Sequence, residues 1–295
     1  MRLGILSVRD RNYHPNRRLM EAGARAGHQV SLIHTRDCLS TIGSGKNGLE
    51  VTGVERPDVL VPRIGATIND YALSVVRHFE LSGVPLVNGF KSVLLARNKF
   101  LTLHTLKCHA VNVPHTFLVV NYQGLERAVR LLGGYPVVAK PPAGRQGSGV
   151  VLVDSPVTAA FVMENLQDLS KGLIVQEYMA PGPRKEIRAF VIGGRVAGAM
   201  ELVPTPGDFR SNIHLGGQGK GISLDRRLAE MAVRSASLLG LEIAGLDIMT
   251  GDDGVPKVIE VNYSPGFRGL EEATGLDIAG EIISYAENRV GVRSR

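Results

Sequence analysis

Two cysteines, Cys38 and Cys108, are all that 295 residues contain, and they lie far apart with no CxxC pair. That argues against a disulfide framework and fits a reducing compartment. No apolar run reaches membrane-spanning length, and the opening MRLGILSVRD lacks the long apolar core of a signal peptide. The expectation is a cytoplasmic protein with no membrane partner. Internal repeats and low-complexity tracts are missing too. So are a Walker A GK[ST], a GxGxxG, and any convincing Ser/His/Asp or Cys/His arrangement for covalent catalysis. Aromatic residues are 5% of the chain and do not interleave with basic ones, which leaves RNA binding unsupported. What is present is a globular composition, 44% hydrophobic and 21% charged, with net charge +6. That balance favours acidic partners such as phosphates, carboxylates or nucleic acid. The basic residues come as short pairs, Arg17-Arg18 and Arg226-Arg227, so a solvated surface is their default reading.

Hydrophobic periodicity predicts strands alternating with helices over the first ninety residues: RLGILSV, QVSLIHT, PDVLVPRIG and VPLVNG as strands, NRRLMEAGARAGH and NDYALSVVRHFELSG as helices. That order argues for a parallel sheet covered on both faces. One helix is expected around LLARNKFLTLHTLKCHA, then the strand VPHTFLVV, a helix at QGLERAVRLLGG, and the strand YPVVAKP leading into a glycine-rich loop. After VVLVD, the helix PVTAAFVMENLQDLS and LIVQEYM, strands dominate: EIRAFVIGG, RVAGAMELVP, EIAGLDIMT and VPKVIEVN. The helices DRRLAEMAVRSASLLG and GLDIAGEIISYAENRV interrupt and end them, and Gly193-Gly194 suits a hairpin turn.

Four constellations carry chemistry. In KVIEVNYSP, Glu260 and Asn262 sit two apart in an apolar strand and therefore share a face. With Asp247 from AGLDIMT they form a hard, all-oxygen set that suits Mg²⁺ or Mn²⁺ rather than Zn²⁺. The alternative is that Glu260 pairs with a nearby arginine and Asn262 caps a turn. In VVAKPPAGRQGSGVVLV, Lys140 ends a strand, and Gly144, Gly147 and Gly149 expose backbone N–H groups able to close over phosphates, or simply make a hairpin loop. In LIVQEYMAPGPRKEIRAF, the backbone after the strand at Glu177-Tyr178 could meet a nucleobase, and Glu186 could accept from ribose hydroxyls or be a solvated turn residue. In GDFRSNIHLGG, Arg210 is a candidate clamp for a phosphoryl or carboxylate group. His104, Cys108 and His109, like His34 and Cys38, read as packing residues rather than metal ligands. The loop Arg9 to Arg18 follows the first strand, where ligands of α/β sheets gather; it holds an acidic acceptor or is a solvated basic loop.

Taken in order, Lys99, Lys140, the loop to Gly149, Glu177-Tyr178, Glu186, Arg188, Arg210-Ser211-Asn212, Asp247, Glu260 and Asn262 resemble the ATP-grasp ligases. The motifs DFRSNIHLGG, AGLDI, EVNYSPGFRGLE and TGLDIAGEII resemble the RimK family, which adds glutamate to the C-terminus of a ribosomal protein. PRIG at Pro62 to Gly65 and ARNKF at Ala96 to Phe100 extend the likeness over nearly the whole chain. The resemblance implies an α/β (α+β) ATP-grasp fold behind a Rossmann-like domain. Residues 1–95 would form that domain, 96–175 a central subdomain with the glycine lid, and 176–295 a subdomain with the metal site. It implies ATP, with phosphates at Lys99 and Lys140 under a lid bearing Gly147 and Gly149, base at Glu177 and Tyr178, and ribose at Glu186. Arg210, Ser211 and Asn212 would complete the nucleotide site. Two Mg²⁺ or Mn²⁺ ions would sit at Asp247, Glu260 and Asn262, and Arg188 and Arg210 would stabilise the transferring phosphoryl group. The implied partners are L-glutamate or another amino acid and an acceptor with a free carboxylate, such as a ribosomal protein C-terminus. Monomer and homo-oligomer both stay open. Where the family has a small residue this chain has Tyr263, and the lid has Ala143 and Arg145 in place of an acid and a threonine. Those departures leave two alternatives standing: a small-molecule carboxylate–amine ligase directed at glutathione, pterins or amino-acid carriers, and a catalytically lapsed nucleotide-binding regulator.

Overall fold

The computed structural model describes residues 1–42, 49–51, 54–65, 68–144, 149–165, 171–179, 185–203 and 218–291. β1 (Arg2–Ser7) leads to α1 (His14–Arg25), which enters with Pro15 in its first turn and is followed by Gly27 at φ +76°. β2 (Gln29–His34) comes next, then a small hairpin of β3 (Cys38–Ser40) and β4 (Leu49–Val51), then β5 (Val59–Arg63). β1 pairs in parallel with both β2 and β5, giving the order β2-β1-β5. Leu3 and Ile5 of β1 face one core and Leu6 the other, so both faces are covered. α2 (Asp70–Leu81) begins where Asn69 Oδ1 accepts from Ala72 N–H and is followed by Gly83 at φ +81°. VPLVNG does not become a fourth strand: it is reduced to a single bridge between Leu60 and Leu86. Its Asn88 is instead taken up in bonds to the far domain.

The one helix expected around LLARNKFLTLHTLKCHA is two, α3 (Phe90–Ala96) and α4 (Lys99–Cys108). Asn98 makes the break, its Oδ1 accepting from Phe100 N–H and Leu101 N–H, so Lys99 begins a new helix. β6 (Thr116–Val119), α5 (Tyr122–Leu131), β7 (Val137–Lys140), β8 (Val151–Val153), α6 (Pro156–Asn165) and β9 (Leu173–Glu177) build an antiparallel sheet in the order β6-β9-β7-β8. Val137, Ala139, Leu173 and Val175 pack against α5 and α6, which leaves Lys140 and Gln176 on the opposite face.

β10 (Lys185–Ile192) and β11 (Arg195–Val203) form the hairpin at Gly193-Gly194, both with positive φ. β12 (Gln218–Gly221), α7 (Arg226–Leu238), β13 (Ile243–Thr250) and β14 (Pro256–Asn262) complete a sheet of order β12-β11-β10-β13-β14. α8 (Arg268–Thr274), not anticipated as a separate element, and α9 (Ile278–Gly291) end the described chain. No helix among the described residues is long and apolar enough to cross a membrane.

Candidate active site

Strand register arranges one face of the five-stranded sheet. Arg188 of β10 pairs with Asp247 of β13, and Asp247 pairs with Glu260 of β14, so three charged residues lie in one row across three strands. Next to it, Phe190, Gly245 and Asn262 form a second row. On the other side Glu186, Met249 and Lys257 form a third. The opposite face is apolar: Ala189, Val191, Ala244, Leu246 and Ile248 belong to the main core.

Simple alternation would put Val258 on the face of Glu260. A bulge prevents this, because Ile248 pairs with Val258 and Asp247 with Glu260, which leaves Ile259 as an extra residue. Val258 and Val261 are both buried in the core, while Ile259, Glu260 and Asn262 are half-buried. Ile259 thus lines the functional face rather than filling the core.

The cations come from elsewhere in the chain. Arg188 grips Asp247 bidentately, Nε to Oδ1 and Nη2 to Oδ2, each at 2.7 Å. Lys99 Nζ lies 3.2 Å from Glu260 Oε1. Lys140, only 5% exposed, donates to Gln176 Oε1 at 3.0 Å. Burial, helped by Lys99, pushes the Lys140 ammonium down to about 8 despite the pull of Glu260 and Asp247. Burial would raise the Glu260 carboxyl, but Lys99 and Lys140 outweigh it and hold it below the usual range. Two carboxylates therefore face three cations, between the two antiparallel sheets.

The Asp247, Glu260 and Asn262 oxygens are the hard donors a divalent cation prefers. Among the described residues no three of His, Cys, Asp and Glu gather into a metal-binding group, and here two carboxylates are joined by the Asn262 amide. The pairing alternative is realised in altered form: Glu260 meets Lys99, and it is Asp247 that meets an arginine. An ion could enter by displacing Lys99, so the set fits.

Glu177 ends β9 beside a pocket of about 320 Å³ that Phe100, His104, His115 and Lys257 help to line. Its carboxylate accepts from Lys257 Nζ at 2.8 Å and from His115 N–H at 3.1 Å, and its N–H donates to His115 O. Tyr178 and Glu186 are half-buried nearby in sequence, and Gly149 adopts φ +83°. Gly147, Arg210, Ser211 and Asn212 lie outside the described residues, as does Arg145.

Tyr263 is taken up by the protein itself. It is buried in the core, and its hydroxyl donates to Gly65 O at 2.6 Å. Tyr263 thus braces the PRIG segment. Of the segment Arg9 to Arg18, Arg17 and Arg18 lie on α1, where Arg17 bonds Glu21, while Arg18 bonds Glu21, Glu271 and Asp277. These cations serve the protein itself rather than a ligand. Cys38 is buried, in line with a packing role, whereas His104, Cys108 and His109 are exposed on or just after α4, with His104 Nε2 and Cys108 Sγ 3.8 Å apart. Sequence reasoning passed over Ile259, Met249, Lys257 and Arg63. An arginine in the apolar run VLVPRIG was the available signal for the last.

The family model described as the RimK-like ATP-grasp domain matches residues 96–286, and the RimK pre-ATP-grasp domain matches 1–93. A protein named "Probable alpha-L-glutamate ligase" from Rhodopirellula baltica is 39% identical over 98% of this chain and 72% of its own length. Another of the same name from Teredinibacter turnerae is 39% identical over 97% of this chain and 95% of its own. Among solved structures, the ATP-grasp ligase PsnB complexed with minimal precursor, Mg and ADP superposes with TM-score 0.75 at 19% identity, covering 98% of this chain and 97% of that one. The chain belongs to the RimK-like ATP-grasp family, and it is an ATP-dependent ligase joining a carboxylate to an amine.

Proposed function

We propose that this enzyme adds L-glutamate to the C-terminal carboxylate of a protein or peptide through an acyl phosphate. The observation that carries the reading is the in-register row Arg188–Asp247–Glu260, faced by Lys99 and Lys140, in a chain whose relatives are named glutamate ligases. The peptide precursor bound by PsnB supports an acceptor of that class.

An acceptor carboxylate oxygen attacks the γ-phosphorus of ATP and ADP leaves. The glutamate amine then attacks the acyl carbon, phosphate leaves with the electron pair of the broken C–O bond, and the amine loses a proton. Both steps bring anions or lone pairs toward a crowded polyphosphate, so catalysis consists of positioning and charge stabilisation. Lys99 and Lys140 hold the phosphates, with Gly147 and Gly149 closing above them. Glu177 and Tyr178 bound the base, Glu186 meets the ribose, and Ser211 and Asn212 complete the site. Asp247, Glu260 and Asn262 would hold Mg²⁺, which supplies further neutralisation of the phosphates when bound. Arg188 fixes Asp247 in place, and with Arg210 it offsets charge on the transferring group. The three rows give the site a direction: nucleoside at Glu186–Met249–Lys257, phosphates at the charged row, acyl chemistry beyond Asn262. Residues 1–95, 96–175 and 176–295 are the corresponding units of the chain.

The test is mass spectrometry of peptides and cell extract incubated with the enzyme, ATP, Mg²⁺ and labelled glutamate. Label should appear at a C-terminus with matching ADP release, and Glu260→Gln should lower the rate about a hundredfold or more. ADP release stimulated only by a small metabolite would replace the protein acceptor, and full turnover in Glu260→Gln would refute the metal assignment.

A further inference from the structure

Three buried polar atoms without a hydrogen-bond partner among the described residues, Arg63 Nε, Asn16 Oδ1 and His14 Nδ1, belong to side chains linked through Phe267 and Ser7. Arg63 is the last residue of β5, at the carboxyl edge of the parallel sheet, and is 5% exposed. Its Nη2 donates to Pro265 O at 2.7 Å, and its Cζ lies 5.7 Å from the centroid of the Phe267 ring. His14 meets the edge of the same ring at 5.8 Å. Asn16 is fully buried, with Nδ2 held by Ser7 Oγ, Arg9 O and Asp10 O, and Ser7 Oγ in turn donates to Arg63 O. No carboxylate among the described residues pairs with Arg63. A buried charge without an anion is costly, and burial pushes this guanidinium down to about 10.

The position is tied to the reaction centre by register. Pro265 packs on Gly245, where an added Cβ would come within 2.6 Å of Pro265 Cβ. Gly245 is two residues from Asp247 on the same strand face, about 7 Å along the strand. Phe267 stacks edge-on to Phe190, the partner of Gly245 in that row. Arg63 therefore stands over the end of the site away from the nucleoside row. In amide ligation the acceptor carboxylate is consumed, whereas the incoming amino acid keeps its own carboxylates throughout. A permanent cation lacking an anion among the described residues matches the component that keeps its charge.

We propose that Arg63, in the setting of Asn16, His14 and the loop around Pro265, anchors a non-reacting carboxylate of the incoming amino acid. This rests on the ligase reading above. It is separate from the acidic acceptor expected at the segment Arg9 to Arg18, whose Arg17 and Arg18 are taken up by the protein's own acids.

The test is steady-state kinetics of Arg63→Gln with glutamate and ATP varied separately. The KM for glutamate should rise about 10- to 100-fold, the range for losing a hydrogen bond to a charged group, while the KM for ATP stays within about twofold. Glutarate, which carries the carboxylates and no amine, should raise the Tm of the wild type and leave that of the variant unmoved. Should Arg63→Gln not fold, Arg63→Lys keeps a charge without the planar fork and should show the same split at smaller size. A glutamate KM unchanged in the variant overturns the site while the ligase stands. A wild type that releases no ADP with glutamate together with any protein, peptide or small-molecule carboxylate acceptor overturns the ligase reading and this assignment with it.

Discussion

Lys140 shows what one residue concedes to function. It is buried beside Lys99, and its ammonium is held down to about 8, below its value in an unfolded chain. Between that value and 10.5 the unfolded chain binds more protons than the folded one, so this group makes stability rise with pH across that window. Below pH 8 the cost of the buried charge is present in full. Lys140→Met should therefore raise stability at pH 7, on the order of 2 kcal/mol, with the advantage shrinking toward pH 10. The same variant should bind ATP about a hundredfold more weakly. Urea denaturation at pH 7 and pH 10, with a nucleotide titration, checks both; a variant less stable at pH 7 would contradict the argument.

At the scale of elements, β14 and the loop after it aim the chemistry. Gly245 leaves the gap into which Pro265 fits. Gly245→Ala should push that loop away, costing about 1–3 kcal/mol and lowering turnover more than ATP affinity. ADP-release kinetics with and without the acceptor, alongside denaturation, would detect it. Much of this was legible in the chain. The two-residue period put Glu260 and Asn262 on one face, and the helical pattern of NDYALSVVRHFELSG, with Asn69 or Asp70 near its start and Gly83 at its end, placed α2. The bulge at Ile259 was not legible, because it depends on which residue of β13 each residue of β14 meets. Nor was the break before Lys99, since the pattern continues through Arg97 and Asn98 and only the Asn98 side chain divides it. VPLVNG read as a strand because its apolar residues are buried, yet it is held mostly by side chains. Arg63 was hidden for the same kind of reason: whether an arginine has an acid beside it is decided by tertiary contact.

The whole molecule binds its amino-terminal sheet to the rest through buried polar contacts. Asn88 accepts from Glu242 N–H and Ile243 N–H and donates to Ile243 O and Tyr263 O, and Tyr263 reaches back to Gly65. This fixes the distance between the arginine over one end of the site and the charged row. The row itself, with Arg188 on Asp247 and Lys99 on Glu260, constrains the order in which ligands arrive. A bare divalent ion approaching it meets two cations already in possession of the acids, whereas a metal–nucleotide complex brings the polyphosphate to which Lys99 can transfer. Binding should thus be compulsory in sequence, with the ion escorted by its nucleotide. Mg²⁺ alone should leave the Tm unmoved and Mg²⁺ with ADP should raise it; a rise with Mg²⁺ alone would mean that Lys99 yields without a phosphate to receive it.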